Sequence, residues 1–449
     1  MKKTKNDKMK ALQAHVDWFR NSAPYIHAHR ERTFVILFGG EAIENHTFSN
    51  LIHDIALLDS LGVRLVIVHG ARPQIETQLN ALDIKSNFTD GLRITGSDAM
   101  PGVEQAVGQA RMAIESKLSM GLPNTPMAGA SIRTVSGNFV TAQPYGIREG
   151  IDYCQTGNVR NVDDSAITEQ LNLGNVVLIS PIGYSSTGET FNLRAEDVAS
   201  EIAISIKADK LIFIMENNGV VDQNGDLLQQ MNLPQAEQWL KHHGKKNRES
   251  TETQLHLNNA AHACRGGVRR VHLVSRKIDG ALLAELYTRD GTGTLVTADN
   301  YEGLRTATID DIGGIMELIT AQEKLGILLA RSREQLELDI KNYTVIERDG
   351  MIIACAALFI FDEEKAAEIA ALAVHNDYQE CGRGSELIQH IEWQARKRHV
   401  ENVFILTTQT THWFLERGYA EIAVEKLPVK KQALYNYQRN SKALNKTLL

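Results

Sequence analysis

The apolar residues of this chain fall first into short unbroken runs and then into helical periods. Residues 33–38 (TFVILF), 63–68, 175–180 and 210–215 are β-branched or aromatic runs, and the first two stop at Gly39-Gly40 and Gly70. Runs of this length bounded by glycine read as buried strands. Between them, Leu51, Ile55 and Leu58 recur at helical spacing from a capping Thr47 to Gly62, and 195–207 reads as a second helix. Strands apolar on both faces and separated by helices predict a parallel sheet covered on two sides, so the first two thirds read as one three-layer α/β domain. Ahead of it, residues 11–25 place Leu12, Val16, Phe19 and Ala23 on one helical face. That face must bury itself on its own domain or on a neighbouring subunit.

The rhythm changes after residue 300. The pattern predicts helices over 309–324 and 332–339, strands over 344–347, 351–359 and 368–374, a helix over 384–399 and a strand over 402–406, with a turn at 348–350. Hairpins feeding a central strand and then a helix make an α+β domain of about 145 residues. The DGTGT turn of residues 290–294 precedes the join, which is expected as a linker over 297–304.

Composition narrows the function classes. The chain has 449 residues, 43% apolar and 23% charged, which suits a globular protein of two or three domains. No stretch reaches the roughly eighteen apolar residues of a membrane span, and a net charge of −7 offers no global field to a nucleic acid, so neither partner is expected. Cys154, Cys264, Cys355 and Cys381 are far apart and read as free thiols of a reducing cytosol. The lysine-rich first ten residues lack the apolar core of a signal peptide, so a cytoplasmic location is expected. His27-x-His29, His242-His243 and His262-x-Cys264 have no second pair at ligand spacing, so no metal is expected, and the basic run 241–248 reads as an exposed loop.

Glycines at the ends of buried strands either turn the chain or cradle anions. The order FGGEAI, VHGARPQI (68–75), ISPIGYSSTGETFNLRAEDVASEIA (179–203) and ELYTRDGTGTLV (285–296) resembles the amino acid kinase family, most closely acetylglutamate kinases, over about residues 25 to 296. Those kinases carry a lysine two residues before the first glycine pair and a V-H-G-G-G-P loop. Here the places hold Leu37 and Ala71-Arg72. Phosphoryl transfer depends on positive charge near the transferring group, which leucine lacks. The resemblance therefore implies a kinase-like regulatory domain over 25–296 that is inactive and uses no ATP, preceded by the N-terminal helix (1–24) as an oligomer contact. Arg72 reaching in from another direction is the alternative. The resemblance to arginine-sensitive members implies that His272, Glu285 and Gly291 line an arginine site, with Glu285 offering a two-point pair to a guanidinium. Taken alone, Glu285 reads as a solvated helix residue and Gly291 as a turn.

In the second domain, Gln379-Glu380-Cys381-Gly382-Arg383-Gly384, followed by Ser385, lies between a predicted buried strand and a helix whose face carries Leu387, Ile388 and Ile391. Successive N–H groups there can form an anion nest. Together with Trp413 to Tyr419 (WFLERGY), this Q-x-x-G-x-G resembles the GNAT acetyltransferase superfamily over about residues 305 to 449. The resemblance implies that the loop holds the pyrophosphate of acetyl-CoA and that Leu372, Ala373 and Val374 offer backbone groups to its pantetheine arm. The two halves in this order resemble the bacterial N-acetylglutamate synthase family. Membership implies acetyl transfer from acetyl-CoA to L-glutamate at the first step of arginine biosynthesis, feedback inhibition by L-arginine, and a homo-oligomer, a hexamer.

An α-amino group is mostly protonated near neutral pH, so a base must take a proton before attack. Glu368 is the carboxylate best placed, and the family points to it. His375 is the competing base. Thr407 sits where the family places a hydroxyl near the cofactor sulfur. Arg331, Arg439 and Ser441, with the backbone of Leu329, match the family's substrate-binding positions and suit a ligand with two carboxylates. Two other readings stay open: a GNAT enzyme for another amino acid or for protein lysines, and a non-catalytic metabolite sensor.

Overall fold

The computed structural model describes residues 5–89, 91–121, 123–243, 251–288, 291–298, 303–324, 326–348, 351–437 and 439–448. The chain divides into two compact units, Met1–Tyr301 and Glu302–Leu449. Half of the expected linker (299–302), part of the basic run 241–248 and most of the turn 348–350 lie outside the described residues.

The first unit is built on an eight-stranded sheet in the spatial order Gln230–Asn232, Thr294–Thr297, Arg270–Ser275, Lys210–Met215, Thr33–Phe38, Arg64–His69, Val176–Ile179, Thr134–Val135. Neighbours are parallel except Arg270–Ser275 with Thr294–Thr297. Alternation along the central strand sends Val35 and Leu37 to one face, against Val198 and Ile202 of helix Ala195–Ser205 and Leu257 of helix Glu252–Arg265. Phe34, Ile36 and Phe38 go to the other, against Ile52, Ile55 and Leu58 of helix Phe48–Ser60. This is the expected three-layer arrangement, and the central strands start and stop where their β-branched runs do.

The N-terminal helix is longer than its periodicity suggests. It spans Lys5–His29, runs through Pro24 and so crosses the expected domain edge at 24/25. Its second half is anchored: Tyr25 and Ile26 pack on the core, and a ring nitrogen of buried His29 hydrogen-bonds the Leu286 carbonyl at 2.8 Å. Its first half leaves Met9, Leu12, Val16 and Phe19 exposed.

The second unit is a seven-stranded sheet in the order Gly303–Thr306, Tyr343–Arg348, Met351–Phe361, Ala366–Val374, Asn402–Thr407, Lys442–Thr447, Ala420–Ile422. All neighbours are antiparallel except Ala366–Val374 with Asn402–Thr407. Helix Arg383–Lys397 covers one face through Leu387, Ile388 and Ile391. Helix Ile312–Lys324 covers the other through Ile312, Ile315 and Ile319. Two elements differ from expectation. Gly303–Thr306, whose first two residues fall in the expected linker, is the edge strand of this sheet, fastened by Arg305 to Asp311 and Glu347. Lys442–Thr447, for which the sequence pattern predicts no element, lies inside the sheet with a strand on either side. Among the described residues, no helix is long and apolar enough to cross a membrane.

Candidate functional site

The single parallel pair of the second sheet is paired over only three residues, ending at Glu368 opposite Phe404. Beyond that point Ala366–Val374 continues, bound only to Met351–Phe361 on its other side. A bulge opposite Cys355 to Ala357 turns its last residues, and Ala371 takes φ +51° there, a strained value for a residue with a side chain. The two strands therefore part like a V. Backbone groups of 369–374, Leu372, Ala373 and Val374 among them, face the gap without a partner strand, which is an edge suited to an extended ligand.

At the open end of the V lies the glycine loop. Gly382 takes φ +77° as the cap of helix Arg383–Lys397, with no other atom within 4 Å of where a Cβ would stand. Glycine serves here for conformation and leaves space above the N–H groups of Arg383 and Gly384, which helix geometry leaves without intrahelical acceptors, whereas Ser385 N–H already donates to Gly382 O at 3.0 Å. Gly384 is glycine for room: a Cβ would come within 3.2 Å of the Trp413 ring. The Gln379 side chain braces the loop, donating to Val374 O at 3.4 Å and Asn376 Oδ1 at 3.1 Å. The side chains of Glu380 and Cys381 lie outside the described ones. Arg383 brings its N–H but not its charge, because its buried guanidinium turns inward to donate to Tyr378 O at 3.0 Å. The cation beside the loop is Arg417, which sequence reasoning passed over within WFLERGY. It donates to Ser385 Oγ at 2.7 Å and lies 3.7 Å over the Trp413 ring.

Glu368 sits at the apex of the V, flanked across the sheet by Phe359 and Phe404. Its side chain is 11% exposed, and Lys431 Nζ donates to Oε1 at 2.7 Å. Lys431 comes from the short helix Val429–Ala433, whose sequence carries no helical apolar pattern, and it was not anticipated. His375 lies seven residues further along, about 20 Å at strand spacing, so it does not compete for the same position. Thr407 Oγ1 accepts from the N–H groups of Gln409 (3.4 Å) and Thr410 (3.1 Å) and shares a 2.8 Å hydrogen bond with the Thr410 hydroxyl. Its hydroxyl thus caps a turn, and its pairing with Thr410 has no signature in the local sequence pattern.

The two arginines, 108 positions apart, are brought together. Arg439 Nη2 donates to the carbonyls of Gly326 (3.3 Å) and Ile327, while Arg331 Nη1 donates to the Leu329 carbonyl at 3.4 Å. Burial lowers the Arg439 pKa, and the nearby Arg331 charge lowers it further. Arg439 Nε is buried without a hydrogen-bond partner. Buried Ser441 closes this corner, its carbonyl accepting from Tyr435 Oη at 2.5 Å. Two adjacent guanidinium groups and a spare N–H make a receptor for carboxylate.

In the first unit, His272, Glu285 and Gly291 do meet. His272 Nδ1 donates to Glu285 Oε1 at 2.7 Å, and Lys210 Nζ lies 3.4 Å from His272 Nε2. Burial, then the Lys210 charge, pushes the His272 pKa down to about 4, so the ring is neutral with its proton on Nδ1. Glu285 Oε2 accepts from the N–H groups of Thr292 (2.7 Å) and Gly293 (2.9 Å). Burial alone would raise the Glu285 pKa, but His272 and these two N–H groups outweigh it and hold it at about 2. Gly291 has φ +64°, and a Cβ there would stand 2.4 Å from Glu285 Oε2. The free two-point carboxylate expected from sequence is therefore replaced by one largely satisfied within the chain.

The kinase-like loops border a separate cavity of about 370 Å³, lined among others by Leu37, Gly39, Gly40, Gly70, Ala71, Arg72 and Arg194. Leu37 is an apolar wall where a kinase needs a cation, and exposed Arg72 stands at the start of helix Arg72–Ala81. The glycines permit contact between the loops: a Cβ on Gly70 would stand 3.1 Å from Gly39 Cα and Gly40 N.

Residues 32–275 match the amino acid kinase family and 315–419 the acetyltransferase (GNAT) family. The amino-acid acetyltransferases of Pseudomonas fluorescens strain Pf0-1 and Azotobacter vinelandii are 49% and 50% identical to this chain, over 97% of it and 100% of theirs. The crystal structure of N-acetylglutamate synthase from Neisseria gonorrhoeae complexed with coenzyme A and L-arginine superposes with a TM-score of 0.87 at 35% identity, covering 96% of this chain and 99% of that one. The same enzyme complexed with coenzyme A and N-acetyl-glutamate gives 0.62 at 36%, covering 97% and 99%. On this full-length likeness and the order of its two domains, the chain belongs to the amino-acid acetyltransferase family.

Proposed function

We propose that this enzyme transfers the acetyl group of acetyl-CoA to the α-amino group of L-glutamate, giving N-acetyl-L-glutamate and CoA, the first step of arginine biosynthesis in the cytoplasm. The observation that carries the reading is the V between the two parallel strands, with a carboxylate at its apex, a free strand edge along one arm and an anion nest at its mouth. The residues fit an extended co-substrate with a doubly anionic diphosphate: N–H groups beyond Gly382 and the Arg417 cation meet that diphosphate, and 372–374 align its arm. Bound there, acetyl-CoA supplies the activated acyl carbon.

Glu368 takes the proton from the acceptor ammonium, which frees the nitrogen lone pair for attack. N–H groups near Leu372 and Ala373 receive the carbonyl oxygen as it gains charge. The Thr407–Thr410 hydroxyl pair passes a proton to the departing sulfur and is restored by the second proton that the nitrogen loses on becoming an amide. Arg331, Arg439 and Ser441, with the Leu329 backbone, hold acceptor carboxylate. L-arginine inhibits from the first unit, at His272, Glu285 and Gly291. The exposed Met9, Leu12, Val16 and Phe19 of the N-terminal helix meet a second copy within a hexamer, which suits an apolar helical stripe left exposed among the described residues. Deleting residues 1–22 should abolish the large assembly on size-exclusion chromatography with light scattering.

Thiol release by the full-length enzyme, measured across the amino acids with and without L-arginine, tests the reading. Release that requires L-glutamate and falls with L-arginine is expected. No release with L-glutamate would remove it.

A further inference from the structure

Lys431 is the feature of the acetyl-transfer site that the mechanism above leaves unused. Its ammonium contacts Glu368 at 2.7 Å, and both side chains are largely enclosed, 18% and 11% exposed. Apolar groups surround the pair. Phe359 and Phe404 flank Glu368 on neighbouring strands, and Phe404 belongs to a cluster with Ala366, Leu427 and Ala443, of which Leu427 lies two residues before the helix that carries Lys431. An ion pair in such surroundings is tolerated only while each charge keeps a partner. The helix that carries Lys431 is tied down locally: Val429 N donates to Glu364 Oε1 at 3.1 Å, and Gln432 Nε2 donates to Leu427 O at 2.6 Å. The lysine therefore approaches the apex from a fixed backbone on a long, adaptable stem.

We propose that Lys431 determines specificity by partner exchange: in the empty site it neutralises Glu368, and an acceptor bearing both an ammonium and a carboxylate replaces each half of the pair. The ammonium of the acceptor goes to Glu368, where its proton is needed. One acceptor carboxylate goes to the released Lys431, while Arg331 and Arg439 hold the other. A zwitterion makes this exchange without leaving a buried charge alone. An amine with no carboxylate strands Lys431, so it is disfavoured by the charge left behind rather than by its shape. This inference rests on glutamate being the acceptor, and it adds a third cation to the two arginines for a ligand with two carboxylates.

The test is steady-state kinetics of the full-length wild type, Lys431→Met and Lys431→Arg with L-glutamate and its two monoamides, L-glutamine and L-isoglutamine. In Lys431→Met, kcat/KM for L-glutamate should fall about 10- to 100-fold, the worth of a hydrogen bond to a charged group, mostly through KM. The monoamide that lacks the carboxylate read by Lys431 should lose far less, so that the preference for the acid over that amide collapses. Lys431→Arg should retain part of the preference, and the acetyl-CoA KM should stay unchanged in both. An equal loss for all three acceptors with the L-glutamate KM unchanged would overturn the proposal and leave Lys431 as a brace for Glu368. If Lys431→Met also loses acetyl-CoA binding, Lys431→Arg decides: partial retention of the preference upholds the proposal, and its complete loss in a variant that still binds acetyl-CoA overturns it. A wild type that acetylates none of the three would instead remove the glutamate reading itself, and this inference with it.

Discussion

Two glutamates, one in each unit, are enclosed to a similar depth and held in opposite ways. Glu285 is filled by its own chain: a histidine N–H on one oxygen and two backbone N–H groups on the other. Glu368 has a lysine as its charged partner, on a side chain that can swing away. A carboxylate fixed by donors on rigid backbone holds one charge state and one position, which suits a structural anchor or a docking point. A carboxylate held by a single flexible cation can change partners, and proton transfer to it needs that freedom. The difference teaches that burial alone does not mark a reacting group; the stiffness of its partners does.

The sharpest way to break the comparison is at the reacting carboxylate. Glu368→Gln keeps the shape and removes the proton acceptor, so kcat should fall about 10²- to 10⁴-fold with the acetyl-CoA KM nearly unchanged. An unaltered kcat in stopped-time thiol assays would move the base elsewhere. Next in size, Arg331→Ala and Arg439→Ala should each raise the L-glutamate KM about 10- to 100-fold while sparing the acetyl-CoA KM. A parallel rise in both constants would indicate loss of fold instead.

The third prediction concerns acid. His272 is kept neutral, with its pKa down at about 4, so the unfolded chain takes up its proton first as the pH drops below the ordinary 6.5. Glu285 is held at about 2, so its contribution, complete above the ordinary 4.5, is lost as the pH falls toward 2. Both signs agree: the first unit loses stability on acidification, beginning between pH 6.5 and 4, by an amount on the order of 2 kcal/mol. His29 and His69, pushed down by burial to about 3 and about 4, act in the same direction. Hydrogen exchange at pH 7.5 and 5 should therefore show protection falling in strand Arg270–Ser275 more than in Met351–Phe361. The smallest effect is expected at Arg417→Ala, about a tenfold rise in the acetyl-CoA KM, since one exposed-side cation is removed while the backbone nest remains.

Much of the first unit was legible because its strands are buried on both faces. After their first residues, Thr33 and Lys210, strands Thr33–Phe38 and Lys210–Met215 are unbroken apolar runs, and such a run marks most of its own extent. Lys442–Thr447 hid because its sequence, KALNKT, is mostly polar; its place is set by pairing on two sides and not by its own hydrophobicity. Gly303–Thr306 hid for a related reason, since an edge strand of four residues needs little apolar surface. The candidate site divides in the same way. The Gly382 to Ser385 loop could be read from its spacing, because glycine there has a conformational and a steric cause. Lys431 and the Thr410 hydroxyl could not, because their partners lie across the fold, and no local pattern encodes a contact that the tertiary structure creates.

The two carboxylates can be set against each other in one assay: L-glutamate-dependent thiol release by the full-length wild type, Glu368→Gln and Glu285→Gln, each titrated with L-arginine. The account predicts that Glu368→Gln loses turnover at every L-arginine concentration, whereas Glu285→Gln keeps most of its turnover and loses its inhibition. Full turnover in Glu368→Gln, or unaltered L-arginine inhibition in Glu285→Gln, would contradict the division of labour between the two units.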